Sequence, residues 1–205
     1  MKIKICGLTS PIEATYLTEN NADYAGFVLF CPKSKRNITI DKAKEIASNL
    51  NENIKKVAVC VSPSLEEINL IDSLDFDYVQ IHGSIEKDLL KKIKTPVIKA
   101  FNIRDLNEFN IYKDIDCVKG FVFDAAIPGS GKTFDLSVLS RIPKTNKTVF
   151  LAGGLSPENV SEIAGVFKPD VVDVSSGVEY NDRPGKDPLK IKTFCESVIN
   201  LSKEE

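Results

Sequence analysis

Two side chains in this sequence of 205 residues have the type and setting to move protons. Asp124 closes the apolar run Phe121-Val122-Phe123, and the glycine-bearing stretch Pro128-Gly129-Ser130-Gly131-Lys132-Thr133 follows it. A carboxylate ending a core strand must be paired, solvated or protonated, and each state suits acid or base work. Cys6, followed by Gly7, ends another apolar run. An unperturbed thiol has a pKa near ~8.5, so only a small fraction is thiolate at neutral pH. Strand alternation puts Lys4 on the same face, and a cation there would lower that pKa and make Cys6 a base or nucleophile. On residue type alone, a small buried hydrophobe is the favoured reading of Cys6.

Two further groups have the chemistry of an anion site. Leu151-Ala152-Gly153-Gly154-Leu155 and Asp173-Val174-Ser175-Ser176-Gly177 each carry glycine and free backbone N–H groups after an apolar run. Glycine lets the backbone approach a phosphate, and N–H donors stabilise it without a side-chain cation. Tight turns that need positive φ would use the same residues. Lys33, Lys35 and Arg36 form a basic run; one guanidinium turned inward would bind a carboxylate in bidentate fashion. The lone histidine, His82, is read as a hydrogen-bonded structural group rather than a proton shuttle. Cys31 and Cys60 also lie near strand ends and carry no assigned chemistry.

Eight β-rich runs place these groups: Lys2–Cys6, Tyr24–Phe30, Lys56–Val61, Tyr78–His82, Val97–Phe101, Gly120–Asp124, Thr148–Ala152 and Val171–Ser175. Several are almost continuously apolar, as parallel strands covered by helices are. Helix signals alternate with them. Ser10-Pro11-Ile12-Glu13 and Ser64-Leu65-Glu66-Glu67 read as capping boxes, and Ser156-Pro157 and Asp187-Pro188 as further helix starts. Asp41–Leu50, Ser84–Ile93 and Phe134–Arg141 are expected helices, and Arg104–Lys113 a short or irregular one. Eight strand–helix units predict one domain over residues 1–205, an α/β fold of the TIM or (β/α)8 barrel type; a doubly wound open sheet usually has fewer. In such a barrel the candidate residues gather at the strand ends, with phosphate after strands seven and eight.

Composition narrows the class. Net charge is -2, with 27 basic and 29 acidic residues interspersed, which disfavours a nucleic-acid partner or a polybasic membrane contact. Neither a signal-peptide pattern nor an apolar run of the ~20 residues a membrane helix needs is present. The five scattered cysteines, without a C-x-x-C pair, point to free thiols in a cytoplasmic protein rather than a disulfide framework or zinc site.

Taken together and in order, Lys4-Ile5-Cys6-Gly7-Leu8-Thr9, Gln80-Ile81-His82-Gly83, Asp124 with Gly129–Asp135, Leu151–Leu155 and Asp173–Glu179 resemble the phosphoribosylanthranilate isomerase family of tryptophan biosynthesis. The resemblance implies a barrel that performs an Amadori rearrangement. N-(5-phosphoribosyl)anthranilate becomes 1-(2-carboxyphenylamino)-1-deoxyribulose 5-phosphate, without cofactor or metal, in a monomer or homodimer. It makes Cys6 the general base and Asp124 the general acid. Arg36 would hold the anthranilate carboxylate, Asp173 would contact the substrate between acid and base, and Gly153, Gly154, Ser175, Ser176 and Gly177 would bind phosphate. The chain departs from the family pattern at Pro128-Gly129-Ser130-Gly131, where Gly-Gly-Thr-Gly is commoner, and at Leu136, where tryptophan is common. Two other readings are a related aminoaldose isomerase of histidine synthesis, which has an aspartate in place of Cys6, and a non-catalytic phosphate-binding barrel.

Overall fold

In the computed structural model, residues 1–125 and 136–203 are described. The apolar runs form β1 (Lys2–Cys6), β2 (Tyr24–Val28), β3 (Lys55–Val61), β4 (Tyr78–His82), β5 (Val97–Asn102), β6 (Val118–Asp124), β7 (Thr148–Ala152) and β8 (Val171–Val174). Each is parallel to its neighbours, and β8 returns to pair with β1, so the sheet closes in chain order into a barrel. The open-sheet alternative is excluded by that closing ladder, whose register sets Lys4 beside Asp173.

Period-two alternation divides the core into two layers. Tyr24, Val57, Val59, Ile98, Ala100, Val122, Phe150 and Val171 fill the barrel interior. The intervening residues, among them Ile3, Ile5, Phe27, Phe121 and Phe123, face the surrounding helices. Those helices are α1 (Pro11–Glu19), α2 (Ile40–Ala47), α3 (Leu65–Asp72), α4 (Lys87–Leu90), α5 (Phe109–Tyr112), α6 (Val160–Phe167) and α7 (Pro188–Lys203).

Their starts follow from side-chain caps. The Ser64 and Glu67 side chains accept hydrogen bonds from each other's backbone N–H, at 3.2 and 2.7 Å. Asp187 accepts from Leu189 N at 2.9 Å with Pro188 as the first helical residue. Glu13 accepts from Thr9 N at 2.6 Å and Ser10 N at 3.3 Å, satisfying N–H groups a helix start leaves open.

The structure corrects several expected boundaries. β2 stops at Val28, and Phe30 turns the chain with φ of 57° into the loop that carries Arg36. β8 stops at Val174, leaving Ser175 free to point away from the ladder. The helices expected over Ser84–Ile93 and Arg104–Lys113 shrink to α4 and α5, single turns with Leu90, Phe109 and Tyr112 as buried anchors. Ser156-Pro157 does not start α6. Asn159 accepts from Ser156 N at 2.8 Å and closes a turn there, so the helix begins at Val160. Over Leu136–Arg141 the chain is a 3-10 helix rather than an α-helix. The loop Pro128–Thr133 and the helix start at Phe134 lie outside the described residues. Among the described residues no helix is long and apolar enough to cross a membrane.

Candidate active site

The C-terminal ends of the strands surround a cavity of about 340 Å³. It brings together Cys6 from β1, Arg36 from the loop after β2, Asp124 from β6, Gly153 and Gly154 after β7, Asp173 on β8, and Ser175 and Ser176 beyond it. Gly177 lies just outside: a Cβ there would stand 2.0 Å from Leu155 O, so the glycine lets the two loops abut. Gly153 and Gly154 take φ of 91° and 72°, the left-handed conformations expected of a turn. Around Gly154 nothing lies within 4 Å of a built Cβ, so conformation rather than crowding selects glycine.

Cys6 owes its room to β2. A Cβ on Gly26 would meet the Cys6 Sγ at 2.7 Å. Below the thiol, Lys4 is fully buried and its Nζ donates to Asp173 Oδ2 at 2.8 Å. Burial alone would drive the Lys4 ammonium toward neutrality, but Asp173 and Cys6 outweigh it and hold its pKa above the ordinary value. Burial pushes the Cys6 thiol up, more than Lys4 and Lys186 pull it down. The expectation that Lys4 leaves Cys6 with a lowered pKa is therefore corrected. The cation is where alternation put it, yet desolvation is the larger effect. Burial likewise raises the Asp173 carboxyl against the pull of Lys4.

Beside this pair lies a cluster with little trace in the sequence. Lys186, on the loop before α7, is 1% exposed. Its Nζ donates to Ser175 O at 3.0 Å, Ser175 Oγ at 3.3 Å and Glu179 Oε1 at 3.2 Å, and its backbone N–H donates to Glu13 at 2.8 Å. Ser175 Oγ in turn donates to Cys6 O at 2.9 Å. Glu179 also accepts from Arg36 Nε and, at 2.7 Å, from Lys35. Although burial opposes its charge, those cations lower its pKa to about 2. Nothing in Arg183-Pro184-Gly185-Lys186-Asp187 announces a buried ammonium; only the surrounding loops bury it.

His82 lines the same cavity, and its ring nitrogen lies 2.8 Å from the Gln80 side-chain nitrogen. Burial, with Lys4 and Lys99 nearby, lowers its pKa to about 4, so the ring is neutral at pH 7. The structural hydrogen-bonded reading of His82 holds. Among the described residues, no three His, Cys, Asp or Glu side chains converge as metal ligands.

A strand-end thiol, a carboxyl across the mouth, a guanidinium and two anion-ready loops suit proton transfers on a phosphorylated ligand with a carboxylate. Residues 3–197 match the family model described as N-(5'phosphoribosyl)anthranilate (PRA) isomerase. The N-(5'-phosphoribosyl)anthranilate isomerase of Streptococcus mutans is 43% identical over 96% of this chain and 98% of its own, and that of Listeria monocytogenes 39% over the same shares. Among solved structures, phosphoribosyl anthranilate isomerase from Thermotoga maritima is similar with a TM-score of 0.82 and 36% identity, covering 98% of this chain and 99% of that one. Another, in complex with reduced 1-(o-carboxyphenylamino)-1-deoxyribulose 5-phosphate, has a TM-score of 0.79 and 34% identity over the same shares. By sequence and fold, the chain belongs to the N-(5'-phosphoribosyl)anthranilate isomerases, the aldose–ketose isomerases of tryptophan biosynthesis.

Proposed function

We propose that this chain, as one catalytic domain acting in the cytoplasm as a monomer or homodimer, rearranges N-(5'-phosphoribosyl)anthranilate with Cys6 as general base and Asp124 as general acid. Asp124, half-buried at the end of β6, gives its proton to the furanose ring oxygen. The anilino nitrogen lone pair expels that oxygen, the ring opens, and a protonated Schiff base forms at C1. This acidifies the C2 proton, which the Cys6 thiolate removes to give an enolamine. Proton return to C1 as the enol becomes a carbonyl yields the ketose. Base strength and availability oppose each other here: a thiol raised by burial ionises less but makes a stronger base, and Lys4 and Lys186 limit the cost.

Binding groups supply orientation. The Gly153-Gly154 loop and Ser175-Ser176-Gly177 take the phosphate, Arg36 the anthranilate carboxylate, and Asp173 a substrate hydroxyl between acid and base. Phosphate anchoring far from the reacting carbons orients the substrate without joining the chemistry. No cofactor or metal has a step in this scheme.

The observation that carries the reading is the shared cavity, in which Cys6 and Asp124 enter from strands separated by β7 and β8. The cysteine also favours the anthranilate substrate over that of the histidine-pathway isomerase, whose base is an aspartate. The test follows the loss of phosphoribosylanthranilate fluorescence with wild type, Cys6→Ser and Asp124→Asn. Wild-type turnover in both variants would sink the assignment.

A further inference from the structure

Two buried side-chain atoms have no hydrogen-bond partner among the described residues: Asp173 Oδ1 and Gln80 Oε1. Both residues line the cavity. Asp173 already has a substrate role in the scheme above; Gln80 has none. It sits on β4, which stands opposite β8 in a ring of eight strands closed in chain order. The two residues that carry these oxygens therefore line the cavity from opposite walls.

Gln80 is only 2% exposed, so bulk water does not satisfy its amide. Its other end is fixed, since the amide nitrogen meets the His82 ring at 2.8 Å. A neutral imidazole offers one acceptor nitrogen, which suits an amide N–H. The amide cannot turn to seek another partner without abandoning that bond.

We infer that Gln80 is a substrate-binding residue whose side-chain amide takes a hydroxyl of the sugar chain, opposite the one Asp173 takes. This rests on the proposed phosphosugar substrate. The chemistry selects the ligand group. A free amide oxygen only accepts, so phosphate and carboxylate, themselves acceptors, cannot satisfy it. If the amide is reversed, its oxygen bonds the ring N–H and its NH2 faces the cavity instead. A hydroxyl, both donor and acceptor, serves either orientation. His82 is then the residue that positions the amide.

Calorimetry on the whole chain tests this with reduced 1-(o-carboxyphenylamino)-1-deoxyribulose 5-phosphate and its three single-deoxy analogues, lacking the C2, C3 or C4 hydroxyl. Gln80→Met is expected to weaken the parent ligand roughly 10-fold. One deoxy analogue should lose a similar factor on wild type and nothing further on Gln80→Met. If Gln80→Met does not fold, Gln80→Asn, which withdraws the amide by one methylene, is read in the same cycle. Parent affinity equal to wild type in the variant, or the same penalty for every deoxy analogue in both proteins, overturns the inference. Failure of wild type to bind the parent ligand would instead overturn the substrate reading beneath it.

Discussion

Glu179 accepts a hydrogen bond from the Nε–H of Arg36, while Lys35 and Lys186 close on the same carboxylate at 2.7 and 3.2 Å. Three cations against this carboxylate keep it ionised, and it holds Arg36 beside the cavity. With Nε engaged, the Nη end of the guanidinium remains for a ligand carboxylate. Glu179→Gln should therefore loosen the aim of Arg36, raising KM about 10-fold with a smaller change in kcat. Steady-state kinetics separate the two, and an unchanged KM counts against the role. The carboxyl is depressed to about 2, so its stabilising contribution is present above the ordinary value of 4.5 and lost as pH falls through about 2. Arg36 should thus stay held throughout the range in which activity can be assayed.

Gly26 offers a steric test of Cys6. A methyl group there would sit 2.7 Å from the sulfur and 3.0 Å from the Cys6 Cα, which cannot move without breaking the β1–β2 ladder. Gly26→Ala should lower kcat at least 10-fold by displacing the base, with the barrel still folded. Circular dichroism together with kcat reads both halves. A variant as active as wild type would show that the thiol position is not critical.

The pH dependence follows from burial. Since the Cys6 pKa is raised, the thiolate fraction should climb from neutral into alkaline pH and with it the base-dependent limb of kcat/KM, the other limb belonging to the acid Asp124. The iodoacetamide alkylation rate of Cys6 should trace the same curve. Lys4→Met removes the strongest downward pull and should move both curves to higher pH, lowering activity at pH 7. Superimposable wild-type and variant curves would remove Lys4 from the mechanism.

Lys99 is a stability test away from the chemistry. It is 2% exposed between sheet and helices, with Nζ 4.5 Å from the Phe101 ring centroid and donating to Ala100 O at 2.7 Å. Burial depresses its pKa from 10.5 to about 8, with Glu108 opposing weakly. At pH 7 the ammonium is charged in both states, so the folded state bears the whole burial penalty. Between pH 8 and 10.5 the folded protein releases the proton first, and stability should rise. Lys99→Met should raise the unfolding free energy at pH 7 by about 1–3 kcal/mol, an advantage that shrinks toward pH 10.5. Denaturant unfolding at pH 7 and pH 10 decides it.

The barrel was legible in the sequence because its strands are local signals: short apolar runs bounded by capping boxes at Ser10 and Ser64. Cys6, Asp124 and Ser175 stand out for a similar reason, each lying at or near a strand end, whereas Asp173 is singled out by the family resemblance. Long-range burial was not legible. Whether the pull of Lys4 on the Cys6 pKa outweighs burial depends on how dry the site is, and a periodicity argument carries no such magnitude. Lys186 reads as an ordinary surface lysine until loops from β1, β2 and β8 fold over it. Gln80 stood within a noted motif, but its unpaired oxygen is a property of the closed ring. At α4 and α5 the sequence pattern is longer than the helix, because Leu90, Phe109 and Tyr112 cover the sheet from single turns.

The bonds that surround Cys6 reach far along the sequence: Lys4 to Asp173 and Ser175 to Cys6 across 169 positions, Lys186 to Glu13 across 173. All three cross the seam where the first strand meets the last. Cys6 and Lys4 therefore gain Asp173, Ser175 and Lys186 as neighbours only once β8 and the loop before α7 have been made. A chain broken off before β8 would thus hold the thiol without the partners that close around it.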